Sequence, residues 1–176
     1  MIIGVTGKIG AGKSTVVDII TKKYNCKKII LDDVAKVVLK DKNVFMKDIV
    51  KENSFLSPDQ LEYIQKYIHP LVWDEVHKLV DDYKKEGAKL VVVETALPTE
   101  PFFDICDETI LVINNNFEEL LKLNRKYSDE LISQIIKSQL KYDSFYEKCS
   151  YSILNDKTID ELEIKVVDLI NKIYKA

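Results

Sequence analysis

Short apolar runs alternating with helical patterns predict an α/β chain, with a central parallel sheet covered by helices on both faces. Three observations carry this. Short, mainly apolar stretches of four or five residues recur at 2–6, 28–31, 90–93, 109–113 and 151–154. Stretches with helical periodicity or caps separate them. The run Leu90–Val93 is continuously apolar, as a strand buried on both faces must be.

Taken in order, residues 2–6 read as a strand, and a helix follows from Lys13 to about Lys23. Lys28–Leu31 is a second strand, followed by a helix near Val34–Lys40. Ser57-Pro58-Asp59-Gln60 opens a helix with a capping serine and a proline at the first helical position. His69-Pro70 interrupts it, because proline cannot continue the backbone ladder. A fresh helix then runs to Glu86 and stops at Gly87. Pro98 and Pro101 mark a loop before a strand at Thr109–Ile113. Asn115–Arg125 and Ser128–Lys141 read as helices, and Tyr151–Leu154 as the last strand. Thr158-Ile159-Asp160-Glu161 is a capping box that opens a closing helix. With 176 residues and no repeat or linker, the chain is expected to be a single domain over 1–176. A helical insertion is placed at about 42–87 and a helical lid at about 115–141.

Composition narrows the function classes. The chain is 46% hydrophobic and 31% charged, which fits a soluble globular protein. A net charge of −3 argues against a general affinity for nucleic acid or anionic membranes. The N-terminal residues lack a signal peptide's basic start and apolar stretch, and no apolar run is long enough to span a bilayer. Three dispersed cysteines and two isolated histidines suit a reducing cytoplasm without a zinc site, and a monomer is expected.

Glycine is the sharpest clue. Four of the five glycines lie within the first twelve residues. Gly7-Lys8-Ile9-Gly10-Ala11-Gly12-Lys13-Ser14 matches the phosphate-binding pattern GxxxxGK[ST], with an apolar strand before it and a helix after it. In such a loop, backbone N–H groups point at phosphate oxygens and the helix N-terminus adds positive potential. The expected nucleotide-binding residues are therefore Lys8, Ile9, Gly10, Ala11, Gly12, Lys13, Ser14 and Thr15. Lys13 would reach the β- and γ-phosphates, Ser14 would ligate Mg²⁺, and Thr15 would line the α-phosphate. Lys8 would reach a phosphate or extend into solvent. The fold expected from this motif is the three-layer P-loop NTPase fold.

A GTPase would carry DxxG, but Lys84 stands three residues before Gly87, the one glycine after the loop. Asn155-Asp156-Lys157 has the wrong order for a guanine-reading NKxD, and no paired glycines form a transporter-type signature. Small-molecule kinases survive this elimination.

Several ordered segments then resemble one family, dephospho-coenzyme A kinase. The opening Ile3–Thr15 is very like that family's start. Asp32-Asp33-Val34-Ala35 resembles the end of its D-x-D-x-[IV]-A segment, with Ile30 at the first aspartate. His69-Pro70-Leu71 looks like its HP[LI] step. Glu94-Thr-Ala-Leu97-Pro-Thr-Glu100 is similar to its D-x-P-L-L-x-E, with Glu94 for Asp, Ala96 for Pro and Pro98 for Leu. Arg125 and Gln139 fall at the spacing of its lid arginine and the glutamine beyond. Ser152-Ile153-Leu154-Asn155 resembles the stretch before its final helix. Leu121 stands where a further lid arginine is expected, and Ser150 where an aspartate is common. The resemblance implies ATP-dependent phosphorylation of the ribose 3′-hydroxyl of dephospho-coenzyme A, with Mg²⁺ as cofactor. The alternatives are a kinase of another small molecule or of a nucleoside monophosphate, or a nucleotide-binding paralogue without activity.

Asp32, at a strand end, would orient the acceptor hydroxyl and take its proton, or simply cap a helix. Glu94, closing a strand, would hold Mg²⁺ through water or be solvated. Arg125 is the one arginine in the chain, and its planar fork suits phosphoryl oxygens under a lid. The catalytic set expected is thus Lys13, Asp32 and Arg125, with Arg125 also on ATP. His69 would pack beside the acceptor or serve the helix break, and Glu100 would touch substrate or face water.

Overall fold

The computed structural model describes residues 1–41, 64–116, 118–119, 132–133, 136–137 and 139–174. In chain order the elements are β1 (Ile2–Thr6), α1 (Lys13–Tyr24), β2 (Lys27–Ile30) and α2 (Leu31–Asp41). A π-helical turn (Ile64–Ile68) then leads into α3 (His69–Lys85), followed by β3 (Val91–Thr95), α4 (Glu100–Ile105) and β4 (Glu108–Ile113). A 3₁₀ turn (Leu140–Tyr142), α5 (Asp143–Tyr146), β5 (Tyr151–Leu154) and α6 (Ile159–Ile173) complete the chain.

The five strands form one parallel sheet in the order β2-β3-β1-β4-β5. Alternation along the strands feeds two cores. Ile3, Val5, Val92, Ile110, Val112 and Ile153 pack beneath α1 and α6, which contribute Val16, Val17, Ile20, Leu162, Val166 and Ile170. Ile2, Ile29, Val91 and Val93 face the other way, beneath α2, α3 and Phe102 of α4. The connection from β3 to β4 passes over β1, so the strand order reverses there. Ligands of open parallel sheets bind outside the carboxyl ends of the strands at such a point.

The structure is the expected α/β parallel-sheet fold, and its differences from the sequence reading have local causes. β2 ends at Ile30, and Leu31 already opens α2, whose first turn carries Asp32 and Asp33 at the end that favours acids. β3 runs on to Thr95, so Glu94 lies inside a strand. The stretch read as a proline-marked loop contains α4, because Pro101 sits in a first turn, where a missing N–H costs nothing. Pro70 likewise sits in the first turn of α3, and the wide turn before it joins the helix without a gap. Asn115 and Asn116 form a turn rather than opening a helix. Thr158 caps α6 as expected, its hydroxyl accepting from the Glu161 N–H.

Of the segment 42–87 expected to be an insertion, α3 lies against the sheet through Val72, Trp73, Val76 and Val80. The helix start at Ser57 and most of the expected lid, with Leu121 and Arg125, lie outside the described residues. Among the described residues, no helix is long and apolar enough to cross a membrane.

Candidate active site

The phosphate loop leaves the end of β1 at Gly7, whose φ is 147°. A Cβ there would lie 2.3 Å from the Val112 carbonyl oxygen of β4, so only glycine fits the close approach. At the other end Gly12 has a φ of 94° and stands at the N-cap of α1 without any side-chain cap. The first-turn N–H groups of α1 are thereby left to an incoming anion. The Ala11 N–H donates to the Lys8 carbonyl at 3.0 Å, and the Lys13 ammonium donates to the same carbonyl at 3.1 Å. Lys13 is thus folded back across the loop rather than extended into water.

Two carboxylates face this ammonium. The pairing of β1 with β3 sets Val5 opposite Glu94, at the level where the chain turns into the loop. Glu94 is buried, and its Oε1 accepts from the Ser14 hydroxyl at 3.1 Å. Burial holds the Lys13 pKa below the ordinary lysine value, while the carboxylates of Glu94 and then Asp32 pull it back up. Burial pushes the Glu94 carboxyl upward, opposed by Lys13 and by the Ser14 hydrogen bond. The result is a buried cation beside a buried acid, Glu94, with the exposed Asp32 acting on it more weakly.

The oxygen ligands also suit a hard divalent ion. Glu94 Oε2 is buried without a hydrogen-bond partner, an orphaned acceptor that a hydrated cation would satisfy, and Ser14 Oγ lies beside its sister oxygen. Among the described residues no cluster of three His, Cys, Asp or Glu side chains could hold a metal alone.

Asp32 is exposed at the start of α2 and lines a cavity of about 190 Å³. The rest of the wall is mainly apolar, with Leu39, Trp73 and Leu97 joined by His69 and Thr95. His69 is partly buried, and burial lowers its pKa. The Leu97 N–H donates to Thr95 Oγ1 at 3.1 Å, which fixes the turn leaving β3. A second cavity of about 240 Å³ is lined by Lys8, Ala11, Val112, Asn114, Asn115 and Tyr146. The Tyr146 hydroxyl donates to the Ala96 carbonyl at 2.9 Å, so this residue reaches from the second cavity to the turn beside the first.

The structure therefore brings together Lys13, Ser14, Asp32 and Glu94 around the loop formed by Lys8, Ile9, Gly10, Ala11 and Gly12, with Thr15 in the first turn of α1 and His69 in the adjoining cavity. Lys8 pairs with Asp143 at 3.6 Å. Glu100 stands apart from this cavity's lining and is paired with Lys148. Trp73 is both buried in the core and part of the cavity wall. Thr95, Leu97, Tyr146 and Asn155 received no individual role from the sequence. Their common signal is position, since each stands at or just beyond a strand's carboxyl end or in the short helix beside it.

A family model described as dephospho-CoA kinase matches residues 1–54 and 38–161 of the chain. A dephospho-CoA kinase from Fusobacterium nucleatum is 31% identical over 94% of this chain and 95% of that protein. Among solved structures, a dephospho-CoA kinase from Campylobacter jejuni superposes with a TM-score of 0.67 at 17% identity, covering 98% of this chain and 96% of that one. A shikimate kinase from Bacteroides thetaiotaomicron gives 0.65 at 18% identity, covering 97% of this chain and 98% of that one. The two superpositions agree on the fold and differ in the acceptor.

Proposed function

Since the chain belongs to the dephospho-CoA kinase family, we propose that it moves the γ-phosphoryl group of ATP onto the ribose 3′-hydroxyl of dephospho-coenzyme A. The observation that carries this reading is the buried Lys13 ammonium, laid across the phosphate loop and influenced by both Glu94 and Asp32. One of those acids belongs to the loop's side of the site and the other to the acceptor cavity, so the charge lies where the two substrates must meet.

Phosphoryl transfer needs positioning and charge neutralisation more than covalent help. Loop N–H groups and Lys13 receive the β- and γ-phosphates. Ser14, with Glu94 through water, would hold Mg²⁺, which would neutralise phosphate charge. The acceptor enters the cavity beside Asp32, with Trp73, Leu97 and His69 as its walls. Asp32 accepts a hydrogen bond from the 3′-hydroxyl and aligns its oxygen with the γ-phosphorus. As the new O–P bond forms, the bond to the β-phosphate oxygen breaks, the hydroxyl proton passes to Asp32, and ADP leaves. By the resemblance, Arg125, which lies outside the described residues, would grip the phosphoryl oxygens in transit. Glu100 would meet substrate only by giving up its pairing with Lys148. The enzyme acts as a cytoplasmic monomer.

The test is ADP release measured with dephospho-coenzyme A, a panel of nucleoside monophosphates, shikimate, and no acceptor. Release that depends on dephospho-coenzyme A is expected. Faster release with another acceptor, or equal release with none, overturns the reading.

A further inference from the structure

The Ala11 carbonyl of the phosphate loop accepts a hydrogen bond from Nδ2 of Asn155 at 2.9 Å. Asn155 is well placed to act as an anchor. It follows the last residue of β5, and its backbone N–H donates to the Ile113 carbonyl at the end of β4, at 2.7 Å. The contact is close from the loop's side too, since a Cβ built on Gly12 would lie 2.2 Å from Nδ2. The side-chain amide is therefore packed against the Ala11–Gly12 peptide.

That peptide is where direction matters. A trans peptide is planar, so its N–H points opposite to its C=O. Anchoring the Ala11 carbonyl towards the end of β5 turns the Gly12 N–H towards the opposite side of the loop. The neighbouring groups are held as well: the Ala11 N–H is bound to Lys8, and the Gly12 carbonyl accepts from the Val16 N–H of α1 at 3.1 Å. Asn155 supplies the remaining restraint on this peptide's rotation.

We propose that Asn155 is a positioning residue of the phosphate loop, holding the Ala11 carbonyl so that the Gly12 N–H is aimed at the nucleotide's phosphates before they arrive. The proposal rests on the reading that this loop binds ATP. A donor fixed in advance strengthens binding because no ordering cost falls due when the ligand docks. Without Asn155 the peptide can rotate, and the phosphates must reorder it at their own expense.

The test compares wild type with Asn155→Asp and Asn155→Ser, titrating each with MgATP and with inorganic tripolyphosphate. Asn155→Asp keeps the shape but sets an acceptor against the Ala11 carbonyl, while Asn155→Ser keeps a shorter donor. For Asn155→Asp the ATP dissociation constant is expected to rise roughly tenfold, equivalent to about 1.4 kcal/mol, and kcat to fall. Tripolyphosphate, which has no base, is expected to weaken in parallel, and Asn155→Ser to fall between. The KM for dephospho-coenzyme A should stay within about twofold of wild type. If wild type binds MgATP and both variants match it, the proposal is overturned. It is overturned too if ATP weakens while tripolyphosphate does not, which would place Asn155 on the base. Equal rises in both substrates' KM, tracking a loss of Tm, would make it a structural prop and nothing more. If Asn155→Asp does not fold, Asn155→Ser decides the matter alone. Failure of wild type itself to bind MgATP would remove the loop reading together with this one.

Discussion

The phosphate loop and the acceptor cavity adjoin at the carboxyl end of the sheet, but they are built from different material. The loop is a single run, Gly7–Ser14, and much of its work falls to backbone. Its glycines permit close approach and left-handed turns, and an uncapped helix presents N–H groups. The cavity is collected from three separated stretches, 31–39, 68–73 and 95–99, and its working surface is side chain. A backbone cradle recognises phosphate, which every nucleoside triphosphate offers. A side-chain cavity can be resized residue by residue, so it is where the proposed function puts acceptor choice. If this division holds, damage to the loop should be severe and indifferent to acceptor, and damage to the cavity milder and selective.

The largest effect is expected from Lys13→Ala, which removes a buried charge aimed at the phosphates. The expected loss is on the order of 10²-fold or more in kcat for any acceptor, with the fold intact by circular dichroism. Near-normal turnover by the folded variant would break the loop's half of the comparison.

Leu97→Ala should act on the other half. Leu97 lines the cavity and is partly exposed, so its truncation leaves the core untouched. The KM for dephospho-coenzyme A should rise about fivefold, of the order of 1 kcal/mol, with the KM for ATP unchanged. A shift shared by both substrates would show that the two regions are not separable.

The smallest effect concerns His69 and pH. Burial depresses its folded-state pKa below the ordinary value of 6.5. The unfolded chain therefore binds this proton more readily, so His69 contributes stability above about pH 6.5 that is lost as pH falls towards its folded pKa. Over that window wild type should lose stability more steeply than His69→Asn, by up to about 1.4 kcal/mol per pH unit. Parallel curves measured by urea unfolding between pH 7 and 5 would mean that His69 is not desolvated in the cavity wall.

The same division explains what could be read from sequence. Gly7–Ser14 was legible because its geometry is written in consecutive residues, and the strand before it and helix after it are where they were expected. Asp32 was legible as a strand-end acid, although Leu31 begins the helix one residue before it. The cavity was not legible as a cavity. Trp73, Leu97 and Leu39 share no sequence period, and they meet only because α2, α3 and the turn after β3 pack on one face of the sheet. The short helix at Glu100–Ile105 was hidden because Pro101 marks a loop and a first helical turn equally well. Asn155 was visible only through the resemblance, since its bond to Ala11 joins residues 144 apart.

Asp32 is where the two regions join, because it lines the acceptor cavity and also acts on Lys13 of the loop. The most direct test of the account is Asp32→Asn, measured as ATP affinity by calorimetry and as turnover with dephospho-coenzyme A on the same folded sample. Asparagine keeps the size but is a poor proton acceptor. ATP affinity should stay within about twofold of wild type while kcat falls on the order of 10²-fold. Unchanged turnover per folded molecule, with only a lowered Tm, would contradict the account and leave Asp32 as a first-turn acid of α2.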